Sequence, residues 1–147
     1  MRHECIQSTP CWRKGGERHD CAFIVEDQDL LGFKGMSVVR VQLLFSFIHD
    51  STTIPCAFVE WFQQYSQRPD PDTGMWIVRP ETSGHHDTPV LSVIHLDSLL
   101  WLAHLLPIFA STSLPYNFSH VDSLDAFRAF YINKYIDHHT FELLSLE

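Results

Sequence analysis

The stretch SVVRVQLLFSFIH, residues 37–49, limits what this chain can fold into more than any other. Val39, Val41, Leu43, Phe45 and Phe47 alternate with Arg40, Gln42 and Ser46. That period of two belongs to a strand, and the β-branched and aromatic content agrees. DSTT (50–53) supplies turn residues and IPCAFVEWFQQY (54–65) returns as a second strand, so the pair predicts a β-hairpin. Both faces of the returning strand are apolar, with Cys56, Phe58 and Phe62 against Ala57, Val59 and Trp61. Something must therefore cover each side. Glu60 sits among these apolar residues and needs a partner if buried; Arg40 on the preceding strand is the candidate.

The remaining segments extend this β pattern. Residues 1–20 are polar, broken by Pro10 and Gly15-Gly16, and read as an extended N-terminal arm ahead of one β-rich domain, 21–147. CAFIVE (21–26), MWIVRP (75–80) and VLSVIHLD (90–97) are further short strands, separated by the loops 27–36, 66–74 and 81–89. From Asp97 the pattern predicts a helical turn capped by that carboxylate. Pro107 then interrupts, and LLPIF reads as an edge strand. In 121–144, Leu124, Phe127, Tyr131, Tyr135 and His138 follow helical spacing, and Asp122 and Asp125 form a capping-box-like start. The spacing predicts a long helix over about 122–144. Strands joined too tightly for βαβ crossovers, followed by a helix, predict a mainly β (α+β) fold: a small curled antiparallel sheet or barrel with a long C-terminal helix packed against it.

With 147 residues, 45% of them hydrophobic, the chain fits one domain with a substantial core. Eighteen acidic against ten basic side chains give a net charge of −8, which argues against independent nucleic-acid binding because phosphate contacts need a concentrated positive field. The four cysteines are too few and irregularly spaced for a disulfide scaffold. No secretory h-region and no apolar run of membrane-spanning length occur. An intracellular setting is the expectation.

Three sets of residues invite a chemical reading. His95 and Asp97 fall on one face of a strand, two residues apart, with His104 further on. They form the candidate acid–base or metal set of a metal-dependent hydrolase or nuclease, against the plainer reading of a capping aspartate and a neutral histidine. A dedicated site needs three or four convergent ligands. His3, Cys5, Cys11, His19 and Cys21 are zinc-like by composition, but C-x5-C followed by H-x-C matches no common finger. Trp61, Tyr65 and Trp76 are the candidate aromatic surface for a partner, such as a peptide or histone tail, against a plain core role. The doublets in GHHD (84–87) and DHHTFE (137–142) lack the spacing of an H-E-x-x-H site. No G-x-S-x-G elbow, Walker loop or G-x-G-x-x-G turn is present. The residues call for no cofactor.

Read in order, WRKGGERHDCAFIV, FKGMSVVRVQLLFSFIHDSTTIPCAFVEWF, PDPDTGMWIVRPE, LSVIHLDSLLWLAHLLPIFA and SLDAFRAFYINKYIDHHTFEL resemble the C-terminal region of Plavaka-type transposases of basidiomycete fungi. More distantly, they are similar to the C-terminal modules of plant CACTA-type transposases. The resemblance runs from about Trp12 onward. It implies a transposon-derived accessory module, a transposase subunit as protein partner and a nuclear location. The family's catalysis resides in an acidic metal-binding triad of an RNase H-like domain, and no aspartate here matches it. With a methionine directly upstream of the module, the chain reads as a truncated relic or a separately encoded piece.

Overall fold

The computed structural model describes residues 5–11, 13, 15–109, 124 and 127–145. The predicted hairpin is its spine. β4 (Met36–His49) and β5 (Thr52–Gln64) pair antiparallel from Val38↔Phe62 to His49↔Thr52, with a register shift between Val41 and Leu43. Asp50 and Ser51, which join them, have φ of 46° and 62°. Those left-handed conformations match a two-residue turn to the twist of its flanking strands.

Neighbours flank the hairpin on both sides. β3 (Cys21–Val25) pairs with Met36–Arg40 of β4. The far edge of β5 is shared: Phe62–Gln64 pair with β6 (Ile77–Pro80), and Cys56–Glu60 with β9 (Leu91–His95). β12 (Phe130–Ile132) adds to β6, β11 (Leu105–Pro107) to β12, and β10 (Leu99–Ala103) to β3. The order is β10-β3-β4-β5-β6-β12-β11. β10 and β11 are separated by His104 alone, so both ends of the sheet are successive pieces of one stretch of chain. The sheet wraps into a nearly closed antiparallel barrel. Pro107, which has no N–H to give, lies on β11, which pairs only with β12 in that order.

Alternation along each strand fills the barrel. Cys21 and Phe23, Val38, Phe62, Val78, Phe130 and Ile132 point inward from five strands and pack with Trp101 and Ala103 of β10 and Leu105 of β11. Phe33 and Trp76 add two rings with centroids 5.3 Å apart. Phe33 is carried in by the 3-10 turn Gly32–Gly35. There a Cβ on Gly35 would lie 2.3 Å from the Asp27 carbonyl oxygen, so only glycine lets the loop close that tightly. The helix α1 (His138–Leu144) covers this core with buried Thr140 and Leu144, and its N-cap Asp137 accepts from the Thr140 amide at 2.8 Å. A second apolar cluster lies on the opposite face: Ala22, Ile24, Val39, Val41, Ala57 and Val59, packed by Ile6, Trp61, Ile94 and Leu99. Both faces of β5 are thus covered along the barrel, as its composition requires.

Three expectations change. The helix of about 122–144 is not continuous: Phe130–Ile132 form a strand, register Phe130↔Val78 and Leu105↔Ile132, and among the described residues of this segment helix is found at Leu124 and at His138–Leu144. Pairing on two sides outweighs the local helical spacing, and the burial of Phe130 and Ile132 around half-buried Tyr131 is that of a strand. Asp122 and Asp125 lie outside the described residues. Second, the turn after His95 is a single 3-10 turn, Leu96–Ser98, capped by His95 rather than Asp97. LLWLA then continues as β10, because the edge of β3 offers a ladder that a helix there would leave unpaired. Third, the N-terminal arm folds back as a hairpin of β1 (Ser8–Thr9) and β2 (Arg18–His19). Asp20 pins it by accepting from the Gln7 amide at 2.8 Å and from the Arg18 guanidinium.

Candidate functional site

The sequence-predicted sites are taken apart by the fold. His95 ends β9 and His104 joins β10 to β11. Among the described residues, no three His, Cys, Asp or Glu side chains gather in a way that could hold a metal ion. His95, Asp97 and His104 therefore do not make a triad. The His95 Nδ1 accepts from the Asp97 backbone amide at 3.1 Å, which assigns the proton to Nε2. Its 3.5 Å approach to the Asp97 carboxylate is then not the orienting hydrogen bond of a base.

Of the N-terminal set, His3 lies outside the described residues, and the other members do not gather into a metal-holding group. Cys5 and Cys11 are exposed while Cys21 is buried in the barrel. His19 instead joins a network that the sequence did not suggest. Its Nδ1 lies 2.8 Å from the Ser8 hydroxyl and its Nε2 3.1 Å from the Glu17 carboxylate. The order serine–histidine–carboxylate has the outline of a nucleophilic triad. However, the Ser8 hydroxyl donates at 2.6 Å to the Gln42 carbonyl, which can only accept. The single hydroxyl proton is spent there, so Nδ1 donates to Ser8, and no base faces the hydroxyl. The network ties the N-terminal hairpin to β4.

Of the aromatic set, Trp76 is 2% exposed and belongs to the barrel core. It is withdrawn from any surface. Trp61 is half-buried against the second cluster. Tyr65 is 60% exposed with the Arg79 guanidinium 5.5 Å above its ring. No aromatic cage is formed by these three.

Near the point where the hairpin leaves the barrel, a polar group lies on the inward face. Arg40 and Glu60 are opposed in register, as their positions suggested, with Nη1 and Oε2 4.0 Å apart. The Gln42 side-chain amide donates to the same carboxylate oxygen at 3.0 Å. Burial raises the thiol of Cys21, Arg40's register partner on β3, to about 12, with Arg40 lowering it and Asp20 and Glu60 raising it. Its folded value lies above the ordinary 9.0. The native state therefore holds a proton that the unfolded chain releases, and this contribution is intact below pH 9 and lost toward pH 12. Wild type is expected to lose roughly 1.4 kcal/mol per pH unit in that window, and Cys21→Ala less. Urea unfolding at pH 9 and 10.5 checks this, and equal slopes for the two proteins would refute it.

Beyond this polar group the hairpin continues as an open three-stranded sheet of β4, β5 and β9. Its register brings Leu43, Phe58 and Val93 side by side, then Phe45 and Cys56, then Phe47 and Ile54. These share the face that turns inward within the barrel, but here they lie past its wall. Leu43, Phe47 and Val93 are 54%, 46% and 57% exposed, and Leu91 joins them. On the other face Leu44 and Ile48 are exposed, Ile48 to 75%. Residues 41–48, 52–59 and 91–94 contain no Asp, Glu, Lys, Arg or His. Contiguous apolar surface of this kind marks an interaction site far more often than does a scattering of single residues. The sequence reading missed it because the same alternation spells a buried strand; only the position of the barrel wall shows which half is covered. No family model, curated protein or solved structure matches the chain. The surface itself is therefore what bears on function.

Proposed function

We propose that this protein is a non-catalytic accessory domain of transposon origin that binds another protein through the open β4–β5–β9 face. The single observation that carries the reading is the uncharged apolar sheet beyond the barrel, with Leu43, Phe47, Leu91 and Val93 exposed together. Leaving such a surface in water forgoes about 25 cal/mol for each Å² that a partner would cover. The filled barrel agrees, since its inward side chains form a packed core. The origin rests on the ordered likeness to Plavaka-type transposases, which points to the RNase H-like region of a related transposase as the partner and to the nucleus as the setting.

Val93→Glu tests the surface without touching the core. The residue is 57% exposed, so the fold tolerates it, whereas an unpaired carboxylate inside an apolar contact is strongly disfavoured. In a pull-down with the RNase H-like region, wild type is retained and Val93→Glu is weakened at least about tenfold. Absence of binding by wild type, or equal binding by the variant, rejects the proposal.

A further inference from the structure

We infer that the outer edge of β4 pairs with the same edge of a second copy of this chain, making a two-fold dimer whose sheet runs through both molecules. This rests on the interaction reading above and names a partner that the surface fits. β3 covers β4 only over Met36–Arg40. Just beyond, the Asp20 carbonyl accepts from the Val41 amide and the Ser8 hydroxyl donates to the Gln42 carbonyl. Among the described residues, no strand pairs with that edge from Leu43 to His49. Its backbone groups are those of a ladder awaiting a strand.

The usual protections of an edge are missing here. Strands left open are normally guarded by a lysine, a proline or an inward-facing charge. LLFSFI (43–48) has none of them. In a chain of net charge −8, two copies repel over most of their surfaces, and an uncharged strip is where they can approach.

Antiparallel self-pairing also meets the demand of the pleat. Residues directly opposite one another share a face, so a two-fold axis through Ser46 sets Phe45 against the other copy's Phe47, and Leu44 against its Ile48. The cross-pairs that flank the axis, Phe45 with Phe47 and Leu44 with Ile48, are then apolar, Ser46 faces its own copy, and Leu43 faces His49. The face bearing Leu43, Phe47 and Val93 stays continuous across the join. A one-residue slip would place the apolar face of one copy beside the opposite face of the other. Six residues of edge bury less than the about 800 Å² per partner of a firm complex, so the expected affinity is micromolar.

Sedimentation of the full chain over a concentration series tests the inference together with two variants. Wild type is expected to shift from one to two chain masses in the micromolar range. Ile48→Lys, at a site 75% exposed, should stay monomeric with an unchanged circular dichroism spectrum. In a Cys5→Ser/Cys11→Ser background, Ser46→Cys should form a covalent dimer, with oxidised glutathione taking the two electrons as the thiols lose their protons. The opposed Cβ atoms lie about 4.5–5.5 Å apart in such a pair, close to disulfide reach. Ser83→Cys, exposed in another hairpin, should cross-link far more slowly. A single monomeric species up to about 1 mM, where association is worth only about 4 kcal/mol, overturns the dimer. So does a dimer that Ile48→Lys leaves intact, or equal cross-linking at 46 and 83. A monomer that still captures the transposase region through Val93 defeats the dimer and leaves the interaction reading standing. A dimer that captures nothing does the reverse.

Discussion

Trp76→Ala is expected to cost about 3–5 kcal/mol of stability, the range for deleting a large aromatic from a packed core. Trp76 is 2% exposed and packs against Phe33 with ring centroids 5.3 Å apart and the planes tilted by 52°. Its indole N–H donates to the Leu144 carbonyl at 3.4 Å, so the ring joins the barrel to its covering helix. Removal leaves a cavity that Phe33 and Leu144 cannot both close, since each is held by its own element. Domains of this size have only 5–15 kcal/mol to lose. Urea unfolding followed by fluorescence, with Trp61 and Trp101 still reporting, measures the change. Tyr65→Ala is the control: at an exposed site it should stay within about 0.5 kcal/mol. A loss below about 1 kcal/mol for Trp76→Ala would mean that the ring is not part of the core.

The contrast between those two residues shows what could be read in the sequence. Trp61, Tyr65 and Trp76 look alike as letters, and nothing near position 76 reveals that Phe33 reaches it from 43 residues away. By contrast, the β4–β5 hairpin was legible because its signals are local: alternation over 37–49, turn residues at 50–53 and a returning apolar strand. Arg40 and Glu60 were legible for the same reason, since a tight hairpin nearly fixes the register between its strands. Pro107 announced an edge by lacking an N–H. Phe130–Ile132 was not legible as a strand, because its state depends on Ile77 and Val78 on one side and on Leu105 and Leu106 on the other. The spacing of Phe127, Tyr131 and Tyr135 is a real helical pattern that long-range pairing outweighs. The closure of the barrel through His104 was beyond sequence reasoning, because no single residue encodes that β10 and β11 occupy the two ends of one sheet. The candidate surface was hidden in the most readable segment of all. In sequence Leu43 and Phe47 continue the alternation of Val39 and Val41, but the register shift between Val41 and Leu43 carries them to the other face of the sheet, and there they lie past the barrel wall.

Breaking the Arg40–Glu60 pair from one side is the second large effect expected. Arg40→Met should cost about 3–5 kcal/mol, the price of a buried charge left without its partner. Both side chains are largely buried, at 7% and 15% exposure. Gln42 continues to donate to the Glu60 carboxylate in the variant, but an amide dipole does not balance a full negative charge. Glu60→Leu should be costly as well, because it removes the carboxylate that faces the guanidinium and that accepts from the Gln42 amide. The double variant Arg40→Met/Glu60→Leu is expected to recover most of the loss, since two apolar side chains in that volume need no solvation. The interaction term of the double-mutant cycle, taken from urea midpoints, would then be large and of compensating sign. If the two single losses simply add, the residues do not act as a pair. Recovery in the double variant would carry a further meaning. The charged pair lies where the inward face changes from packed core to open apolar sheet, and a purely apolar replacement would make that face continuous from the barrel to Phe47. A double variant that regains stability yet associates non-specifically would show that the ion pair sets the boundary between core and binding surface.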